Sequence, residues 1–171
     1  MKNQNIVYIP LVNQREEDSF EKLFKQSFLE REQPLYLENY PLVIFPDDFR
    51  HICFESAPGS KYKEQFSIRR ARKILIIDEI CKGNLPYEII FQSERKNKSI
   101  CILLDYAEFA MFLLPQRSKK GVFLRLLTII AYGKHVQTVI NKQKEKGIIM
   151  KDVSEAVRLR GSTTSRKPTD K

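Results

Sequence analysis

Residues 87–132 read YEIIFQSERKNKSICILLDYAEFAMFLLPQRSKKGVFLRLLTIIAY. Four runs, 87–92, 99–104, 109–114 and 122–132, are rich in Ile, Val, Leu, Phe and Tyr, and polar or Gly-bearing stretches separate them. Such runs, punctuated by turn residues, predict four consecutive strands. The connections 93–98 and 115–121 are short enough for hairpins, so an antiparallel meander is expected. Their tips bring Arg95, Lys96, Lys98, Arg117, Lys119 and Lys120 to the surface.

Upstream of this stretch the apolar period is helical. In 66–81, Phe66, the Arg70 stem, Ile74, Ile77 and Cys81 recur every three to four residues, as one helix face requires, and Gly83 and Pro86 follow as stop signals. A second helix is predicted over 16–31, where Phe20, Leu23, Phe24 and Phe28 share a face. Residues 42–45 and 52–54 read as a short strand pair around the acidic turn Pro46, Asp47 and Asp48. A polar, basic helix is expected over 134–146, with Val136, Val139 and Ile140 inward and Gly147 as its end. The final GSTTSRKPTDK has almost no apolar content and reads as disordered. The expected organisation is therefore α+β, an antiparallel sheet flanked by helices. It divides into a helical, acidic region (1–45), a basic domain (46–150) and a basic, largely disordered tail (151–171).

Charge is unevenly placed in this chain of 171 residues and formal charge +9. Residues 1–40 carry 5 Lys+Arg and 7 Asp+Glu, whereas 41–171 carry 25 and 14. A sustained positive field raises the local concentration of polyanions, so nucleic acid is the first partner to consider and an anionic membrane the second. No apolar run reaches the ~20 residues of a membrane span, and the N-terminus lacks a secretory pattern, so a cytoplasmic protein without membrane contact is expected. Cys53, Cys81 and Cys101 show no CxxC spacing and sit among apolar neighbours, as reduced core residues would. No Walker loop, GxGxxG or His/Cys ligand grouping is present, so neither a metal nor another cofactor is expected.

The sequence has two histidines, His51 in Phe49-Arg50-His51-Ile52-Cys53-Phe54 and His135 in Tyr132-Gly133-Lys134-His135. Between them lie Phe66-Ser67-Ile68-Arg69-Arg70-Ala71-Arg72-Lys73-Ile74 and the late strand with Thr128. Over about residues 49–146 this layout resembles the phage-associated branch of the Barnase-EndoU-Colicin-RelE superfamily of metal-independent ribonuclease toxins. The matching positions are His51 with Ile52, then Phe66, Arg70, Ala71 and Ile74, then Thr128 and Tyr132. The chain departs from the pattern after Thr128, where Ile129-Ile130-Ala131 precede Tyr132 in place of a tighter Thr-Ala-aromatic. The resemblance implies an RNA-cleaving toxin with a cognate antitoxin or immunity protein as partner.

Metal-free RNA cleavage needs a base for the 2′-hydroxyl, a cation for the phosphorane and an acid for the 5′-oxygen. His51 is a candidate base or acid, because imidazole as a group titrates near neutral pH, and Arg70 offers two parallel N–H donors to a phosphate. Thr128 is a candidate to orient a phosphate oxygen, and Tyr132 to stack on a base or donate a proton. Arg69, Arg72, Lys73, Lys134 and His135 are candidates to track the RNA backbone, and a variant scheme pairs His51 with His135. A contrasting expectation, of a different class, is a non-catalytic nucleic-acid- or protein-binding module using the same basic surface. Under either, the acidic helix 16–31 is a candidate to lie across the basic face and restrain it, or to pack as an ordinary layer. Oligomeric state is undetermined by the sequence.

Overall fold

The computed structural model describes residues 17–56, 59–92, 98–130 and 136–162. It is an α+β fold built on a seven-stranded mixed sheet with a separate two-stranded hairpin. The chain opens with α1 (Glu17–Phe24), whose first-turn Glu17 and Asp18 favour the positive end of the helix dipole. One π-turn, Lys25–Leu29, continues it, closed by the Glu30 N–H donating to Lys25 O at 2.9 Å. This agrees with the helix expected over 16–31. Phe20, Phe24 and Phe28 point inward, and Phe24 meets Phe49 at 5.4 Å between ring centroids.

Strands β1 (Leu35–Leu37) and β2 (Tyr40–Val43) form an antiparallel hairpin. Its turn holds Glu38 at φ 51°, a left-handed conformation unusual for a non-glycine residue. The short helix α2 (Asp48–Cys53) follows, then β3 (Phe54–Ser56) and β4 (Lys63–Phe66), which among the described residues pair only with each other. Helices α3 (Ile68–Ala71) and α4 (Leu75–Cys81) come next. The long sheet strands are β5 (Glu88–Phe91), β6 (Ile100–Leu104), β7 (Phe109–Ser118) and β8 (Gly121–Ile130). The described chain ends with α5 (Val136–Lys146), β9 (Ile148–Met150) and α6 (Val153–Ser162). Strand order is β1-β2-β8-β7-β6-β5-β9. Neighbours within β5 to β8 are antiparallel, as are β5 and β9, whereas β2 runs parallel to β8. The sheet is thus larger than the expected four strands and is mixed.

Three expectations are corrected. Residues 52–54 are not one partner of a strand pair around an acidic turn, because Asp48–Cys53 is helical. Asp48 Oδ2 accepts from the Phe45 N–H at 2.7 Å, so the acidic turn is a helix start, and Phe49, Ile52 and Cys53 share the buried side at helical spacing. The helix expected over 66–81 is two helices after a strand: Phe66 ends β4, and turns at 72–74 separate α3 from α4. The tail expected to be largely disordered contains α6. Asp152 Oδ1 accepts from Glu155 N–H at 2.7 Å, and Glu155 Oε2 accepts from Lys151 N–H at 2.8 Å, a reciprocal cap that starts the helix. Glu38 Oε2 also accepts from the Val153 N–H at 2.9 Å, which docks α6 on the β1–β2 turn.

One hydrophobic cluster runs from Phe20 through Ile77 and Met111 to Val153 and Ala156, so buried residues on both sides of positions 45 and 150 share a core. It fills the face of the sheet covered by α1 to α4 and α6. The opposite face has a smaller cluster in which Val136 and Ile140 of α5 lie on Ile90, Cys101, Leu103, Ala110 and Phe112. The acidic N-terminal helix is accordingly a packed layer, and Arg31 Nη1 donates to Asp78 Oδ1 at 2.7 Å to fix its end to α4.

Candidate functional site

β2 ends at Val43, opposite Arg125, so among the described residues the second half of β8 has no strand neighbour on that side. Helix α2 lies beside this half of β8. A backbone edge facing a helix cannot complete a ladder, and its carbonyls need other donors. Arg70 supplies them: its Nη2 donates to Ile129 O at 2.8 Å and to His51 O at 3.4 Å, and its Nε donates to Ile52 O at 2.7 Å. The fork of one guanidinium thereby ties the last turn of α2 to the edge of β8. Burial lowers the Arg70 pKa, opposed by the neighbouring Cys53 and Glu55.

The structure therefore brings together three segments singled out in the sequence, those of His51, Arg70 and Thr128. His51 is exposed on α2. Thr128 pairs with Phe112, and a register shift at Phe112/Leu113 places it just past a bulge in β8. Its side chain is half-buried, and Oγ1 donates to Ile129 O at 3.4 Å. Arg69 and Arg72 are exposed on and just after α3. Lys73 is directed at a different loop, where its Nζ donates to Ala107 O at 2.8 Å and Glu108 O at 3.3 Å, and burial lowers its pKa against the pull of Glu108. Tyr132, Lys134 and His135 lie outside the described residues, and with them the pairing of His51 and His135.

Two residues not chosen from the sequence belong to this site. Asp48 is 3% exposed, and burial raises its pKa, opposed by the Phe45 N–H and by the charges of Arg125 and His51. Arg125 sits with its Cζ 5.0 Å from the centroid of Phe45, and its buried Nε has no hydrogen-bond partner among the described residues. A buried donor without an acceptor costs free energy unless something fills the role. The signal for Arg125 was its position, a cation between the core residues Leu124 and Leu126 in a strand of period two. The signal for Asp48 was its place one helical turn before His51, hidden by reading the segment as extended.

Arg125 faces the half of the sheet that α5 leaves uncovered. It pairs with Val43 and Leu114, Phe123 pairs with Gln116, and Tyr36 pairs with Pro41. By strand alternation these side chains share the face of Phe112 and Ala110. Tyr36 is 46% exposed and Phe45 41%. Arg117, Lys119 and Lys120 stand at the β7–β8 hairpin beyond this patch, all exposed. Aromatic rings beside cations suit a strand that offers both bases and phosphates.

The cysteines are poor nucleophiles: Cys53 and Cys101 are buried, and burial pushes the Cys53 and Cys81 thiols to about 12. Among the described residues no group of three or more His, Cys, Asp or Glu side chains is placed to hold a metal ion, and no described helix is long and apolar enough to cross a membrane. Fold and site together define an α+β protein with a cationic, aromatic sheet face beside a histidine-bearing helix. Comparison of the chain with protein-family models, with curated proteins and with solved structures gave no significant match.

Proposed function

We propose that the protein is a metal-independent endoribonuclease of the toxin type, cutting RNA by attack of its own 2′-hydroxyl to leave 2′,3′-cyclic phosphate and 5′-hydroxyl ends. The observation that carries this reading is the meeting of His51, Arg70 and the end of β8 at one sheet edge, from positions 19 and 59 residues apart along the chain. His51 takes the proton of the 2′-hydroxyl as it attacks phosphorus, and the departing 5′-oxygen takes its proton from solvent water to leave as the 5′-hydroxyl. Arg70 is a positioning residue in this scheme, because Nε and Nη2 already serve three carbonyls and hold the α2 backbone that carries His51. The cation for the phosphorane is Arg125, whose Nε has no partner among the described residues and whose charge acts on Asp48. RNA reaches the site over the basic hairpin and the open half of the sheet.

The test incubates the purified protein in EDTA with total RNA and defined transfer RNAs, beside His51→Ala and Arg125→Gln. Loss of a general base typically removes a factor of about 10² to 10⁴, so His51→Ala should abolish detectable cutting while its melting curve stays that of the parent. Arg125→Gln should slow cutting at least as strongly as it weakens binding. Cleavage at the parental rate by both variants would end the assignment.

A second reading, a nucleic-acid-binding module without cleavage, is favoured by one observation: the Arg70 fork expected on a phosphate is taken up by backbone carbonyls. It requires RNA affinity that falls steeply with salt and RNA that stays intact.

A further inference from the structure

We propose that β9 is a docking edge for an extended segment of another protein, one whose β-branched or apolar residues are flanked on both sides by Asp or Glu. The inference concerns the rim of the sheet far from the β8 edge and is independent of whether RNA is cut. β9 pairs with β5 alone and closes the strand order at that end, so its second side has no strand beside it in the described sheet. Ile148 pairs with Phe91 and Ile149 with Ile90, which places the two isoleucines on opposite faces of the strand. Both are open to solvent, at 47% and 68%.

Sheet edges in stable proteins are usually blunted by a charge, a proline or a bulge within the strand. β9 has none of these: it reads Ile-Ile-Met, and the charges stand only at its ends. The seat is also held firmly. Met150 is buried, Lys151 N–H is fixed on Glu155, and Gly147 packs so closely on the Ile90 and Gln92 side chains that a Cβ there would collide with them. A strand already held in its bonding geometry loses little freedom when another is added.

Charge selects the occupant. Lys146 and Lys151 flank the three residues, and Lys142 lies one turn back on α5, all exposed. The nearby carboxylates of Asp152 and Glu155 are turned to the start of α6, which leaves Glu145 as the exposed acid of this stretch. A second copy of the chain added parallel and in register would set each lysine against its own equivalent. Like charges across a ladder are unfavourable, whereas acidic flanks meet a lysine at each end.

The experiment measures fluorescence anisotropy of the full chain with the labelled, end-capped peptide Asp-Glu-Ile-Val-Ile-Val-Glu-Asp and with its counterpart carrying Lys at the four acidic positions. The acidic peptide should bind at least about tenfold more tightly. The double variant Lys146→Glu, Lys151→Glu should reverse that order, and Ile149→Lys should lose the acidic peptide while keeping the parental circular dichroism. Binding of neither peptide, binding unchanged by Ile149→Lys, or an order that survives the charge swap would each overturn the proposal. Sedimentation showing a dimer that Ile149→Lys converts to monomer would assign the edge to a second copy and overturn it equally.

Discussion

Arg70 shows how one side chain holds a junction that no strand completes. A lysine offers one ammonium where the guanidinium serves carbonyls of both α2 and β8, so Arg70→Lys should leave at least one of them without its donor. Charged hydrogen bonds of this kind contribute about 1.5–3 kcal/mol each, and a loss of about 2 kcal/mol should appear as a lower urea midpoint with unchanged slope. An unaltered midpoint would show the staple to be dispensable. The same geometry means that any fall in activity on substituting Arg70 has to be read beside a melting curve.

Asp48 supplies a pH dependence whose sign follows from its burial. A carboxyl held above its ordinary 3.8 adds stability that is present below that value and is lost as pH rises through the folded-state value. Asp48→Asn keeps an acceptor for the Phe45 N–H and carries no proton equilibrium. The variant should therefore gain stability relative to the parent as pH is raised from 3 to 7, by urea denaturation at each pH. A difference that stays flat, or moves the other way, would mean that Arg125 and His51 outweigh the burial of the carboxylate.

Among the elements, α6 was the one most open to detection and was missed. Low apolar content belongs to residues 161–171, and the tail read as disordered takes in 151–160 with them, yet Asp152 followed three residues later by Glu155 is a helix-start signature, set among Val153, Ala156 and Val157 at helical spacing. The cap is testable on its own. Asp152→Ala should cost about 1 kcal/mol, a fall of about 2–4 °C in melting temperature for a domain of this size, by differential scanning calorimetry. β9 was hard to see for another reason, since three residues are too few to show a period. The strands β5 to β8 were legible because apolar, β-branched and aromatic runs of four to ten residues leave little alternative. α2 was misread because Ile52, Cys53 and Phe54 form a continuous apolar run in which helix and strand patterns coincide. Of the site, His51 and Arg70 could be nominated from residue type and spacing. Asp48 and Arg125 became visible only once β8 and α2 were placed side by side, a contact between positions about 75 residues apart.

At the scale of the whole molecule, charge and core follow different boundaries. The first forty residues are acidic and the remainder basic, which leaves open a helix lying across the basic face or an ordinary packed layer, and Phe20, Phe24, Phe28, Leu35 and Leu37 sit in the common core with Ile77 and Met111. A chain beginning at Pro41 should therefore lack a cooperative thermal transition and should bind a hydrophobic dye, where a regulatory appendage would leave a folded remainder. If that chain melts cooperatively near the parental temperature, the N-terminal layer is dispensable after all.

The parallel pairing of β2 with β8 has a consequence for how the chain is made. Leu42 waits for Leu124, and Val43 for Arg125, so the first hairpin has no sheet to join until about 80 further residues have left the ribosome. At ordinary elongation rates this delay is on the order of ten seconds. Throughout it the edge of β2 that pairs with β8 stands unprotected on the nascent chain, even though Phe24 can already meet Phe49. Synthesis of this protein should consequently lean on chaperones that hold emerging segments, and slowed translation ahead of β8 should lower its yield even though the finished fold is unchanged.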